Sequence, residues 1–428
     1  MHTDVIICGG ALAGMTLALS LQKKGFDVLL VDPRSVRALM QQDKRTTAIA
    51  AGPRKFFDDL GVWNKLESKA EAINTINILD GSSSISLVFD YKDYVRNNIS
   101  TSIKSLGHVV ENSDLIKQID LTTKNLKKCG KVKRINSKVL NIKVDKFSAK
   151  VFLENNKIIS ANLIVAADGK NSLIRKMAGI KENKSSYGQE AYVTQILHKE
   201  DHNNIALEKF LPGGPLAVLP MKKHNNYYRS AIIWSDNKEV TRSRLKASKS
   251  NPDAISYELE RHCFDWLGNI KLYGVSNAFP LELIQPKNIT SERIILMGDA
   301  AHAIHPIAGQ GFNLSLRGME KFSEMCAVRA SLGLDIGSIK FLKDYEKKRK
   351  LDVVSLINAT HALNELFRNP KPYIKTIRRL GLSTVSNAPF LKRAFMKYAM
   401  GILTLLILAT LSKFSLYNIM FFSETLLK

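Results

Sequence analysis

Cysteine is scarce in this 428-residue chain: Cys8, Cys129, Cys263 and Cys326 are scattered, with no CxxC pair. That excludes a disulfide framework and a thiolate metal site, and reduced thiols fit a cytoplasmic setting. Histidine forms no HExxH set; His302 and His305 share a stretch, but no carboxylate stands beside them at metal spacing, so no metal is expected. Acidic residues are few, 39 against 63 Lys and Arg, for a formal net charge of +24. The lysines are nonetheless spread along the chain, with only short clusters such as Lys347 to Lys350. No recognition helix, zinc finger or single-strand-binding motif accompanies them, so no nucleic-acid partner is expected. A solvated basic surface or attraction to anionic lipid accounts for the charge.

Long apolar runs are also lacking. The uncharged segment Tyr398 to Ser412, bracketed by Lys397 and Lys413, has 15 residues, short of the roughly 20 that span a bilayer as a helix. A docked terminal helix, an interfacial anchor and, if the following FSLYNIMFFSETLL continues the helix, a span are all open readings. The chain begins almost directly on an apolar strand, so neither a secretory signal nor a transit peptide is expected. No repeat or low-complexity linker divides it, which predicts interleaved domains.

Three segments carry the chemistry. At the amino end, Val5 to Cys8 read as a strand, Gly9-Gly10-Ala11-Leu12-Ala13-Gly14 as a turn, Met15 to Lys24 as a helix, and Asp27 to Val31 as a second strand closed by Asp32. Gly9 permits the tight turn and Gly14 close helix-strand packing, while Ala11 stands where the backbone must approach a pyrophosphate. Asp32, 18 positions after Gly14, suits a ribose hydroxyl. The second segment, Ala161 to Ile180, is a strand ending in Asp168-Gly169, with Ser172 and Arg175 at helical spacing after it. The third, RIILMGDAAHAIHPIAGQGFNLSLRG from Arg293 to Gly318, is a strand ending in Gly298-Asp299. A helix follows from about Gln310, preceded by Pro306 and Gly309. A helix start there offers unpaired N–H groups to an anionic ligand.

In this order and spacing the three segments resemble the class A flavoprotein monooxygenases, the family of para-hydroxybenzoate hydroxylase. DKRTTAIAAGPRKFFDDLGVW (Asp43 to Trp63), GHVVENSDL (Gly107 to Leu115), GGPLAVLP (Gly213 to Pro220) and YEKKRKLD (Tyr345 to Asp352) are similar to its ubiquinone-biosynthesis hydroxylase branch. The likeness runs from about Asp4 to Gly401. Ala11, Ser315 and Gly318 depart from the family pattern.

The resemblance implies an α/β protein with a Rossmann-like FAD-binding domain, an interleaved antiparallel-sheet substrate domain and a helical carboxyl end. The expected division places the FAD-binding domain at 1–71, 107–180 and 285–340, and the substrate domain at 72–106 and 181–284. A helical region with an apolar tail takes 341–428. FAD is expected along Gly9, Gly10, Ala11, Leu12, Ala13 and Gly14, with Asp32 on the adenosine ribose and Arg45 at phosphate. Asp168 belongs to a segment associated with FAD and the nicotinamide cofactor, and Arg175 is its companion candidate. Gly298 and Asp299 are expected at the ribityl chain. Pro306, Gly309, Gln310, Gly311, Phe312 and Asn313 are expected at the flavin edge. His305 and Pro306 are the catalytic candidates, His305 as a carrier of a phenolic proton.

NAD(P)H is implied as a transient co-substrate, and a flavin 4a-hydroperoxide as the agent that transfers oxygen to a polyprenylated phenol or benzoquinol. A basic, apolar carboxyl end would suit the inner face of a membrane, or a biosynthetic complex there. A halogenase would carry WxWxI, which Trp63, Trp234 and Trp266 do not form. A prenyl reductase, or a non-catalytic flavoprotein scaffold, stays open as an alternative.

Overall fold

The computed structural model describes residues 2–81, 86–96, 103–127, 129–369 and 371–402. Its first sheet runs in the order Thr290–Ser291, Ile294–Leu296, Ile158–Ala166, His2–Cys8, Val28–Val31, Val132–Ile135. From Ile294–Leu296 onward all neighbours are parallel. Both faces are covered, which explains strands of nearly unbroken apolar residues. Val5 and Ile7 pack with Leu17 and Leu21 of helix Leu12–Lys23, and with Leu316, Met319 and Phe322 of helix Gln310–Ser331. Ile6, Leu29 and Ile164 face the other way, against Val151 and Leu153 of an antiparallel hairpin.

The second sheet has seven strands, in the order Ile270–Pro286, Glu182–His198, Tyr227–Asn237, Gly214–His224, Ile205–Leu211, Thr75–Asp80, Ser86–Asp90. The two 17-residue strands Glu182–His198 and Ile270–Pro286 pair along most of their length. One face of this sheet buries Tyr192, Ile196, Leu216, Val218, Ile232 and Trp234. The opposite face carries Ala206, Phe210, Met221 and Ala231, and packs on Ile307 and Phe367. A small sheet of Thr46–Ala50, Gly107–Glu111 and Glu71–Ile73 lies between the two large ones in sequence.

Two helices stand within 181–284, the stretch expected to form the antiparallel sheet of the substrate domain. Lys238–Ser250 and Pro252–Leu267 cover the back of the second sheet. In the latter, Ile255, Leu259, Cys263 and Leu267 are buried at four-residue spacing, a helical signal that the flanking β-branched strands mask.

Between 339 and 399 the described residues form three helices, Ile339–Arg368, Pro372–Asn387 and Pro389–Ala399. Tyr345, Arg349 and Asp352 are buried on the first of these. Asp352 is paired by Arg349 at 2.5 Å and by Arg317 at 3.0 Å, pinning this helix to Gln310–Ser331. Tyr345 also donates to the Gly318 carbonyl at 3.1 Å. A Cβ on Gly318 would sit 3.0 Å from that hydroxyl, so this departure from the family pattern has a packing cause.

The end of helix Pro389–Ala399 docks on the body of the protein. Gly52 N–H donates to Met400 C=O at 2.8 Å, and Gln310 Nε2 to Ala399 C=O at 3.1 Å. Among the described residues no helix is long and apolar enough to cross a membrane. The apolar run Tyr398 to Ser412 lies, beyond residue 402, outside the described residues.

Candidate functional site

The glycine-rich turn is built by exclusion. Gly9 has φ +105°, and a Cβ there would lie 2.2 Å from Ala167 C=O. A Cβ on Gly14 would lie 1.8 Å from Gly9 C=O. Both contacts are far inside van der Waals range, so the helix reaches the strand this closely only with glycine. Ala11 is the N-cap of helix Leu12–Lys23, makes no side-chain cap bond, and with Ala13 packs partly against the core. The amino end of this helix is therefore left open for a ligand's phosphate.

Asp32 is buried at the end of Val28–Val31. Its carboxylate accepts Gly10 N–H at 2.8 Å, Arg34 N–H at 2.9 Å, and Arg34 Nε and Nη2, both at 3.1 Å. Burial pushes its pKa up, but the hydrogen bonds from Arg34 and Gly10 outweigh that and hold it below the usual range. Sequence reasoning missed Arg134, which donates to Gly10 C=O at 3.1 Å and Arg34 C=O at 2.7 Å. Its strand, Val132–Ile135, shows no motif; only parallel pairing with Val28–Val31 brings it to the turn.

Asp168 lies across this turn, at the end of strand Ile158–Ala166, and accepts Leu173 N–H at 2.8 Å and Ile174 N–H at 3.2 Å, capping the helix Leu173–Met177. Its other oxygen, Oδ1, is buried without a partner. Arg175 is not at a surface. It is wholly buried, donates to Ala300 C=O at 2.9 Å and Lys170 C=O at 2.8 Å, and pairs with Glu182. Arg175 thus ties the second motif to the third, and its burial leaves it no surface to present to a nicotinamide.

Asp299 follows strand Ile294–Leu296 in the single 3₁₀ turn Gly298–Ala300. It is open to the cleft and accepts no hydrogen bond from any described residue. Surrounding protein raises its pKa, against the pull of Arg45 and Lys170. Arg45 forks onto Asp43 at 2.8 and 2.7 Å and lies 5.4 Å from the Phe279 ring centroid. Asn112 braces Asp43 at 3.0 Å.

Helix Gln310–Ser331 starts where the sequence places it, with Gly309 in the left-handed region at φ +61°. Asn313 is buried; it accepts Ala50 N–H at 2.9 Å and donates to Ala48 C=O at 2.8 Å and Gly309 C=O at 2.9 Å. Its side chain anchors the helix start to Thr46–Ala50, leaving backbone N–H groups, not the amide, for a ligand. A methyl group on Gly311 would lie 3.7 Å from Ile304, an ordinary contact, so this glycine is not forced by packing. Phe312 packs partly into the core.

His305 is fully buried, with both ring nitrogens unpartnered. Its ring meets Tyr187 edge-on, with centroids 5.2 Å apart. Burial, helped by Arg368, lowers its pKa to about 3, so the imidazole is neutral. Pro306 follows as N-cap of the 3₁₀ turn Ile307–Gly309. Glu208, which no motif announces, is buried on the face of the second sheet that packs on Ile307. No metal-like cluster of three His, Cys, Asp or Glu exists among the described residues.

The three motif segments therefore meet along the carboxyl ends of adjacent parallel strands, where open α/β sheets bind ligands. A family model described as FAD binding domain matches residues 2–351. The chain is 34% identical over 408 residues to ubiquinone hydroxylase UbiL of Rhodospirillum rubrum, spanning 94% of this chain and 90% of that protein. It is 28% identical to the 3-demethoxyubiquinol 3-hydroxylase of Escherichia coli, over 94% of this chain and 99% of the relative. Its fold is similar to the crystal structure of p-nitrophenol 4-monooxygenase PnpA from Pseudomonas putida. The TM-score is 0.75 at 16% identity, over 93% of this chain and 98% of that one.

Proposed function

This chain belongs to the FAD-dependent monooxygenase family that carries the FAD binding domain, and from that premise we propose that it hydroxylates the ring of a prenylated phenol or quinol in ubiquinone biosynthesis. The observation that carries this reading is the convergence of the glycine turn, Asp168 and Asp299 on one cleft beside a helix start. The residues fit FAD: the turn excludes any side chain at Gly9 and Gly14, and Asp299 offers a free carboxylate. When bound and reduced by NAD(P)H, FAD activates O2 for insertion into an aromatic C–H bond. One oxygen enters the ring and the other leaves as water.

The protein's own part is binding and shielding. Gly9 to Gly14 would line the pyrophosphate. Asp32, already braced by Arg34, would accept a ribose hydroxyl on a remaining lone pair. Asp299 would hold the ribityl chain, and Arg45 a phosphate. The helix start at Gly309 to Asn313 would place N–H groups at the flavin edge. The apolar cluster of Phe89, Ala206, Phe210, Ile307 and Phe367 would keep water from the ring.

The membrane face of this reading rests on the carboxyl helices. Tyr373, Ile377 and Leu380 are exposed at helical spacing on Pro372–Asn387, and Phe390 on the next helix. Lys371, Lys375 and Arg379 are exposed among them, a pattern that suits an anionic lipid surface. That surface is where prenylated substrates dissolve.

The test is NADH, NADPH and O2 consumption by the purified flavoprotein with a prenylphenol, with mass spectrometry of the product. Consumption coupled to a product one oxygen heavier supports the reading. Full FAD occupancy without consumption would leave a scaffold instead. In a deletion strain, the same reading expects an accumulating prenylphenol.

A further inference from the structure

Polar side chains from three distant elements carry buried atoms without partners, and the nucleotide cleft does not use them. His305 lies in the loop that leads to the flavin-edge helix, and both of its ring nitrogens are unpartnered. Tyr187 meets it edge-on at 5.2 Å between centroids, its own hydroxyl buried and unpartnered. Asn364, on helix Ile339–Arg368, is 1% exposed, and neither its Oδ1 nor its Nδ2 has a partner among the described residues. Buried polar side chains are nearly always hydrogen-bonded, so three such residues on neighbouring elements point to a ligand.

The backbone brings them to one place. Tyr187 sits in a bulge: pairing of Glu182–His198 with Ile270–Pro286 shifts between Ser186 and Glu190, and Gly188 takes φ +67°. A bulge re-aims a side chain out of the regular alternation of a strand. Asn364 is flanked on its helix by two residues that touch Tyr187. His361 lies 6.0 Å from the Tyr187 ring between centroids, and Arg368 donates to Tyr187 C=O at 3.3 Å. Residues three and four apart share a helix face, so Asn364 belongs to the face turned toward Tyr187. Two of the three also border one apolar cluster. Ile307 follows His305 and Phe367 follows Asn364, and both pack there with Ala206 and Phe210. A polar edge beside an apolar wall suits an oxygenated aromatic ring.

The unpartnered atoms set how many oxygens such a ring must bring. Hydroxyl, neutral imidazole and amide each offer both a donor and an acceptor, and burial keeps His305 neutral, with a pKa of about 3. A phenolic oxygen has one donor and two lone pairs, too few for the five atoms of Tyr187, His305 and Asn364. We propose that these three residues hold two oxygens on one edge of the substrate ring, so that the preferred substrate is a prenylphenol already carrying a second oxygen beside the first. This rests on the hydroxylase reading and narrows its substrate. The reaction that supplies such a ring is itself a hydroxylation.

The test titrates the holoprotein with detergent-dispersed 2-farnesylphenol and 2-farnesyl-6-methoxyphenol, read by the change in flavin absorbance and by the ratio of kcat/KM values. Wild type should prefer the methoxyphenol about 10-fold, the worth of one or two neutral hydrogen bonds. Tyr187→Phe and Asn364→Leu remove polar atoms at nearly constant volume. Each should cut that preference about threefold, and the pair should abolish it, with 2-farnesylphenol affected less. Melting temperatures should be kept or rise, because a buried group without a partner is removed; a merely structural role would lower them. If Asn364→Leu fails to fold, Tyr187→Phe, which loses a single oxygen, decides. A wild type without the preference, or variants that keep it, would overturn the assignment of these residues. A holoprotein that neither binds nor hydroxylates either phenol would end the hydroxylase reading, and this one with it.

Discussion

Asp32 and Glu208 are both buried carboxylates, one in each large sheet, and they are treated in opposite ways. Asp32 takes four donors from Gly10 and Arg34 and is held ionised. Glu208 takes none, and its charge is disfavoured. The contrast extends outward. On the nucleotide side Arg175, Asn313 and Arg293 spend their donors on backbone carbonyls and carboxylates. On the substrate side His305, Tyr187 and Asn364 keep buried polar atoms without partners. The first region is largely braced from within, with Asp168 Oδ1 and Asp299 as its open acceptors. The second carries unmet hydrogen bonds, each costing about 1–3 kcal/mol, which a polar ring substituent could satisfy.

The largest effect that would test this contrast is Arg175→Ala. It leaves Glu182 partly buried and unpaired, and removing one partner of a buried pair costs about 3–5 kcal/mol. Denaturant melts should show that loss. If KM for NAD(P)H rose with stability intact, the structural role would be wrong.

Glu208→Gln tests the other side through pH. The folded pKa is raised, so its contribution is fully present below the unfolded value of 4.5 and is lost as pH climbs through about 8. At pH 8 the loss is on the order of 4 kcal/mol. Wild type should therefore melt lower with rising pH, relative to the variant. Parallel melting curves would remove the contrast with Asp32.

Asp299→Ala should weaken FAD by about 10- to 100-fold, the value of a charge-assisted hydrogen bond. The purified protein should lose its yellow colour, and undiminished flavin content would refute the assignment. The smallest effect is at the surface. Tyr373→Ser with Leu380→Ser should reduce binding to phosphatidylserine vesicles roughly tenfold, with turnover of detergent-dispersed substrate unchanged. Equal vesicle binding would take the membrane face away from these helices.

Much of the nucleotide side was legible because its chemistry is local. Gly9, Gly14 and Asp32 work through the turn that contains or follows them, and Asp299 ends the strand that displays it. Arg175 was misread for the opposite reason: helical spacing revealed its position but not that Ala300 and Glu182 close over it. The two helices behind the second sheet were lost among β-branched neighbours, and Arg134 and Glu208 carry no motif at all. Their roles depend on which strand lies alongside, information that no window of sequence contains.

The amino-acid order alone determined that three strand ends would carry glycine and acid, because tight turns and close backbone approach leave no other choice of residue. Tertiary structure decided which carboxylates are satisfied and which are stranded. Partners such as Ala300 for Arg175 and Ala50 for Asn313 come from segments more than a hundred residues away, and burial, which sets the cost of a missing partner, is a property of the packed whole.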